Sequence, residues 1–311
     1  MVGANEQMIL EIEQEVLQSY QNETLLALFL GKDIGNIGIT QWKHKNIDDI
    51  PEAALTAAGY NPQEAKINPN LFGDDVFTVA EELDVPEVEW EQIKNFGLDP
   101  EAMRMLGKKV GAMASRYLFR GTDEDGNIPK TQYNFLRDAG TGDGALERPL
   151  MQSTTSAGVW STYSNKSYDL SLLLGQLVNK GYNIASTVIF YPMIAHTPMS
   201  WKGNATNDLS AINYLKGEGV MDVIKVPNSY MYTAAGATPT AALFDLWAVD
   251  MSQVKIGYTR TERVRTITPH NDVRNTKVEA EVWFCPYMIP RPWADDSKIY
   301  KGVSRISAIA P

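Results

Sequence analysis

A single cysteine, Cys285, stands among 311 residues, so no disulfide within the chain can support the fold. Set between Phe284 and Pro286 in a strand-like run, it reads as a small buried apolar residue. Histidine is nearly as scarce. His44, His196 and His270 lie far apart at no metal-ligand spacing, and no HExxH, CxxC or GxSxG occurs. The sequence therefore nominates no catalytic residue, no metal and no cofactor. Its longest apolar run, Leu25 to Leu30, falls far short of the roughly 20 residues that span a bilayer. Met1 to Leu10 has no basic region followed by an apolar core, so it does not read as a signal peptide. The expectation is a soluble protein made inside the cell, in which the sequons at Asn22, Asn165 and Asn204 carry no meaning.

Positive charge is also in deficit: 28 Lys and Arg face 38 Asp and Glu, a net charge of −10. Such a chain is repelled by phosphates, which argues against affinity-driven DNA binding and against anionic membrane surfaces. It does not argue against walling DNA in, because a container gains from not sticking to its contents. The apolar fraction of 44% is enough for a real core.

Near-motifs dissolve on inspection. Asp123-Glu124-Asp125-Gly126 lacks the third oxygen ligand of a calcium loop, since Gly121 stands in that place. Gly140-Thr141-Gly142-Asp143-Gly144 lacks the Lys-Ser/Thr ending of a phosphate loop and reads as a connector. Asp295-Asp296 reads as a solvated turn. His196, after a strand and between Pro192 and Pro198, is the one residue placed where a catalytic histidine could sit, but no nucleophile accompanies it.

What is present is an order of elements. Residues 8–30 form an amphipathic helical segment through Ile9, Ile12, Val16 and Tyr20, ended by Gly31. From Lys32 to about Val76 no period is sustained, and so long a connection without its own core points to a partner-bound extension. Asp74 to Glu101 is strongly acidic, with only Lys94 against it, whereas Lys255 to Arg305 is basic. In a self-assembling protein two such strips can meet between neighbours and fix register. The clearest helix runs from Pro100 to Arg120, with Asp99 as N-cap, Gly121 as stop and Met103, Leu106, Val110, Met113 and Tyr117 along one face. Asp169 to Lys180 and Leu209 to Leu215 are shorter helices. Strands are predicted at Ser186–Tyr191, Val220–Val226, Leu243–Val249, Val254–Ile267, Lys277–Cys285 and Ile299–Ile309. This interleaving without a repeated strand-helix unit predicts an α+β fold.

The order resembles a known family. An arm and a long Gly- and Asn-rich extension lead to the strand Phe77-Thr78-Val79-Ala80-Glu81-Glu82-Leu83-Asp84-Val85-Pro86. The long helix then ends Ala114-Ser115-Arg116-Tyr117-Leu118-Phe119-Arg120-Gly121. Ser186-Thr187-Val188-Ile189-Phe190-Tyr191-Pro192, Val282-Trp283-Phe284 and Ile299-Tyr300-Lys301-Gly302-Val303 follow. Nearly the whole chain resembles the Hong Kong 97 phage major capsid protein, whose fold encapsulin shells share. The resemblance implies an N-terminal arm at 1–30, an E-loop at 31–80 and a peripheral (P) domain at 81–150 with its spine helix at 100–120. It implies an axial (A) domain at 151–250, then return strands of the P domain and the end of the A domain at 251–311. It also implies a virion subunit, made in the host cytoplasm, that assembles with itself into pentamers and hexamers around double-stranded DNA. Portal, scaffold, protease or decoration proteins would be further partners. Ile39, Trp42, Leu71 and Phe72 would anchor inter-subunit contacts, with Glu81, Glu82, Arg263 and Arg265 as charged partners. Two alternatives stand beside it: an encapsulin-like nanocompartment shell, and a soluble α+β hydrolase built around His196.

Overall fold

The computed structural model describes residues 4–24, 31–34, 41–47, 69–75, 77–86, 100–120, 150–201, 209–231, 243–267, 275–288, 291–292 and 299–310. Among them the order is helix α1 (Ala4–Glu23), strands β1 (Gly31–Ile34), β2 (Gln41–Ile47), β3 (Pro69–Asp75) and β4 (Phe77–Pro86), and helix α2 (Pro100–Arg120). Strand β5 (Leu150–Thr155), helix α3 (Tyr163–Val178), β6 (Thr187–Pro192), α4 (His196–Ser200), α5 (Ala211–Gly217), β7 (Asp222–Val226) and α6 (Asn228–Met231) follow. The chain closes with β8 (Phe244–Asp250), β9 (Val254–Ile267), β10 (Asn275–Met288), β11 (Arg291–Pro292) and β12 (Ile299–Ile309). Asp99 and Gly121, the expected cap and stop of α2, lie outside the described residues, as do 123–126, 140–144 and 295–296. Contacts divide the chain into two compact units, one of 1–42, 75–118 and 256–285, the other of 43–74, 119–255 and 286–311.

The first unit pairs α1 and α2 with a four-stranded sheet ordered β1-β9-β10-β4. On β10, Thr276, Val278, Ala280, Val282 and Phe284 are buried, and the register sets them opposite Val85, Leu83, Glu81, Val79 and Phe77 of antiparallel β4. The alternate residues of β4, Thr78, Ala80, Glu82 and Asp84, are exposed. This is the period of two expected of a sheet with one dry face, broken at Glu81, which is exposed.

Helix α1 buries Ile12, Val16, Ser19 and Tyr20. Helix α2 buries Met103, Leu106, Val110, Ala114, Ser115 and Leu118, and Gly107 and Gly111 are buried between them. The sequence reading placed Met113 on that face, yet Met113 is only half-buried. The glycines explain the difference. They draw α1 onto the Gly107–Gly111 edge, because small residues let two backbones approach where a larger face would hold them apart.

The second unit holds a six-stranded sheet, β11-β12-β8-β6-β7 with β5 parallel to β12. Strands β6 and β8 are buried along their whole length and pair antiparallel, while β6 and β7 are parallel. Helix α3 covers one face with Leu170, Leu173, Leu174 and Leu177, which join Ile189, Leu246, Ala248 and Ile306 in one apolar cluster. Trp160 completes it, edge-on to Phe244 at 5.4 Å between ring centres. Gly181 stops this helical stretch in the left-handed conformation, φ 76°.

One expectation gains detail and one is corrected. Within the stretch from Lys32 to Val76, where the sequence sustains no period, the described residues form most of β1 and the two-stranded ribbon of β2 and β3. Its polar strands, such as Gln41-Trp42-Lys43-His44-Lys45, carry little apolar alternation and so escaped a search for periodicity. Helix α3 also begins at Tyr163, well before the predicted Asp169. The carboxylate of Asp169 does not cap its own helix. Buried, it accepts from Ser156 Oγ, from the Ala157 N–H at 2.9 Å and from Trp160 Nε1 at 2.9 Å, tying down the turn before α3.

Candidate assembly surface

Among the described residues no three His, Cys, Asp or Glu side chains gather as metal ligands, and no helix is long and apolar enough to cross a membrane. His196 begins α4. Its ring lies parallel to that of Tyr191, 6.4 Å between centres, with Nδ1 3.3 Å from the Tyr191 hydroxyl. The hydrolase alternative requires a serine or cysteine at that imidazole, and the described partner is instead a phenol.

The buried carboxylates have structural work. Asp250 accepts from Ser186 Oγ at 2.6 Å, from the Asn183 N–H at 3.1 Å and from the backbone and side chain of Ser252. Asp245 receives Arg305 through Nε and a terminal nitrogen, at 3.1 and 2.6 Å, and also the Ala308 N–H at 2.9 Å. Both carboxylates thus hold turns, a bulge and a cross-strand ion pair in place.

The charged residues singled out from sequence gather on the four-stranded sheet. Glu82 of β4 and Arg263 and Arg265 of β9 lie on its open face; Glu81, the next residue along, points the other way and pairs with Lys109 of α2 at 3.1 Å. The register places Glu82 directly opposite Glu279. Two like charges so placed repel, and each takes a cation: Lys277 pairs with Glu82, and Arg265 with Glu279. Lys277 also lies 3.7 Å from Asp84, and Arg263 lies 4.0 Å from the buried Glu281. The Glu82 hydrogen bond raises the Lys277 pKa. The steps Arg265–Glu279 and Arg263–Glu281 run in opposite directions along β9 and β10, as an antiparallel ladder requires. The acidic and basic strips of the sequence thus meet within one subunit. Glu82, Arg263 and Arg265 remain exposed enough to meet a neighbour as well.

Of the proposed apolar anchors, Trp42 lies on β2 and Leu71 and Phe72 on β3, which brings all three to one ribbon, while Ile39 lies outside the described residues. Sequence reasoning missed Lys166, which is 2% exposed on α3. Its Nζ donates to the Trp201 carbonyl at 2.7 Å and the Pro198 carbonyl at 3.1 Å, and sits 5.7 and 5.8 Å from the ring centres of Trp160 and Trp201. A lysine among Tyr163, Ser164 and Asn165 gives no apolar signal by which to foresee burial.

No family model and no curated protein matches the sequence. Solved structures do match in fold. A structure from Mycobacterium phage Ogopogo aligns with TM-score 0.61 at 10% identity, covering 92% of both chains. The virus-like particle from Pyrococcus furiosus aligns with TM-score 0.59 at 7% identity, covering 94% of this chain and 96% of that one. The capsid of Myoviridae phage XM1 gives 0.56 at 12% identity over 90% of each. This chain has the Hong Kong 97 capsid fold, α+β in class, as its element order led one to expect.

Proposed function

We propose that the protein is a major capsid protein, which assembles with copies of itself into pentamers and hexamers of an icosahedral head around double-stranded DNA. One observation carries this reading: the fold matches a virus-like particle and a phage capsid over nine-tenths or more of both chains, so little of this chain is left for another purpose. Residues 1–30 serve as the N-terminal arm, 31–80 as the E-loop with the β2–β3 ribbon, and α2 as the spine helix of the P domain. The sheet around β6 and β8 belongs to the A domain. Trp42, Leu71 and Phe72 on the ribbon, with Ile39, anchor it to a neighbouring subunit. The exposed ladder of Glu82, Arg263 and Arg265, with Glu81 behind it, sets the register. The net charge of −10 suits a wall along which packaged DNA slides without adhering.

The likeness to the Pyrococcus furiosus virus-like particle, covering 96% of that chain, keeps a second reading alongside: a shell without a genome, of the nanocompartment kind. Negative-stain electron microscopy of the purified protein tests both. Closed shells, or rings of five and six subunits, support the capsid reading, and density of packed nucleic acid inside separates a virion from a nanocompartment. A monomer or dimer that persists across salt and protein concentration overturns it.

A further inference from the structure

Lys166 places an ammonium group where little water reaches it and, among the described residues, no carboxylate compensates it. Such a charge is costly, because two carbonyl dipoles and two aromatic faces replace hydration only in part. The ionisable groups on the elements around it are otherwise occupied or turned to solvent. On α3, Asp169 is filled by Ser156, Ala157 and Trp160. His196 of α4 and Tyr191 of β6 pair with each other, Tyr214 of α5 pairs with Ser171 at 2.9 Å, and Lys216 is exposed. Tyr163 lines the shallow hollow beside Lys166 together with Tyr214 and Leu209.

The two walls of the lysine site differ. Trp160 is 1% exposed and pinned through Nε1 to Asp169, whereas Trp201 is 45% exposed and follows the five-residue helix α4. A helix so short has no stability of its own. What holds α4 down is the burial of Met199 and of Ala195 just before the helix, the His196–Tyr191 pair and the two carbonyl bonds from Lys166.

We propose that Lys166 makes α4 and Trp201 a protonation-controlled flap, which opens to release the lysine to water while it is charged and closes more firmly when it is neutral. The direction follows from linkage: the open state hydrates the ammonium and so binds the proton more tightly than the closed state does. Burial accordingly lowers the closed-state pKa to about 8. The flap is therefore loaded at neutral pH and relaxes above it.

Hydrogen exchange of the full-length protein, corrected for the intrinsic pH dependence of amide exchange, tests this. The amides of 196–201 should gain about tenfold or more in protection between pH 7 and pH 9.5. Lys166→Arg cannot deprotonate in this range, and its flap should stay equally open at both pH values. Emission of Trp201, taken as the difference from Trp201→Phe, should move along the same curve in the native protein only. Equal protection at both pH values in the native protein, or the same gain in Lys166→Arg, overturns the proposal.

Discussion

Gly107 of α2 faces the backbone of α1 so closely that a Cβ placed on it would lie 2.2 Å from the carbonyl oxygen of Val16. One turn on, Gly111 repeats the relationship with the Tyr20 carbonyl at 2.9 Å. Glu15 reaches Arg104, and Glu13 accepts from the Thr266 N–H of β9 at 3.0 Å, so α1 is docked on its own subunit at several points. The contact with Val16 is with backbone, which cannot rotate away. Gly107→Ala should therefore push the helices apart and cost roughly 1–3 kcal/mol of stability despite the better helix propensity of alanine. Gly175→Ala in α3, where nothing lies within 4 Å, should stabilise by about 0.5–1 kcal/mol. Urea unfolding of both variants gives the comparison, and a stabilised Gly107→Ala would refute the close packing.

Ala308 has φ 56°, in the left-handed region that costs a side chain about 1–2 kcal/mol. It sits where the pairing of β12 with β8 slips between Ile306 and Ile309. Its N–H is held by Asp245, which also takes Arg305. Ala308→Gly should raise stability by up to about 1 kcal/mol. Asp245→Ala should lower it by roughly 1–3 kcal/mol, as Arg305 and the bulge lose one acceptor together. Thermal unfolding of the two variants should move in opposite directions.

Much of this was legible in the sequence where one physical signal dominated. Pro100 to Arg120 and the strands at 77–86, 254–267 and 299–309 have the bounds expected of them, because caps, stops and alternation agree there. Legibility failed where burial had no apolar signature. Gly107 and Gly111 carry a helix contact through what they lack, Lys166 is buried by hydrogen bonds, and the first turns of α3 are polar. The charged strips were visible, but their pairing depends on the register that sets Glu82 opposite Glu279, and register is tertiary information.

Lys166 also predicts the pH dependence of global stability. The unfolded chain holds its proton with the ordinary pKa of 10.5, the fold with one near 8. Between those values the unfolded state binds more protons, so stability rises with pH across that window, and the penalty is fully present below about 8. Lys166→Arg stays charged throughout and should lack this rise. Denaturation midpoints of both proteins at pH 7.5 and 9.5 check it; an equal change in the two would assign the effect to other groups.

If the β2–β3 ribbon anchors a neighbour, Trp42→Ala should leave the subunit folded and weaken assembly. An interface hot spot contributes about 2 kcal/mol or more, so the concentration needed for shells should rise at least about tenfold. Light scattering against concentration reads assembly, and far-UV circular dichroism reads the fold. Loss of the fold would make Trp42 an ordinary core residue.

Arg265 pairs with Glu279 within the subunit and is also proposed to meet a neighbour, and a charge swap separates the two roles. Arg265→Glu alone replaces the cation beside Glu279 with another acid and leaves Lys277 to serve the cluster. It should cost the subunit up to about 1 kcal/mol, since the arginine is 42% exposed. The double variant Arg265→Glu with Glu279→Arg restores the internal pair and should recover subunit stability. A carboxylate on a neighbour would then still face the wrong charge, so assembly should remain impaired in the double variant. Recovery of assembly together with stability would mean that Arg265 works only inside its own sheet, and the register between subunits would have to be set elsewhere.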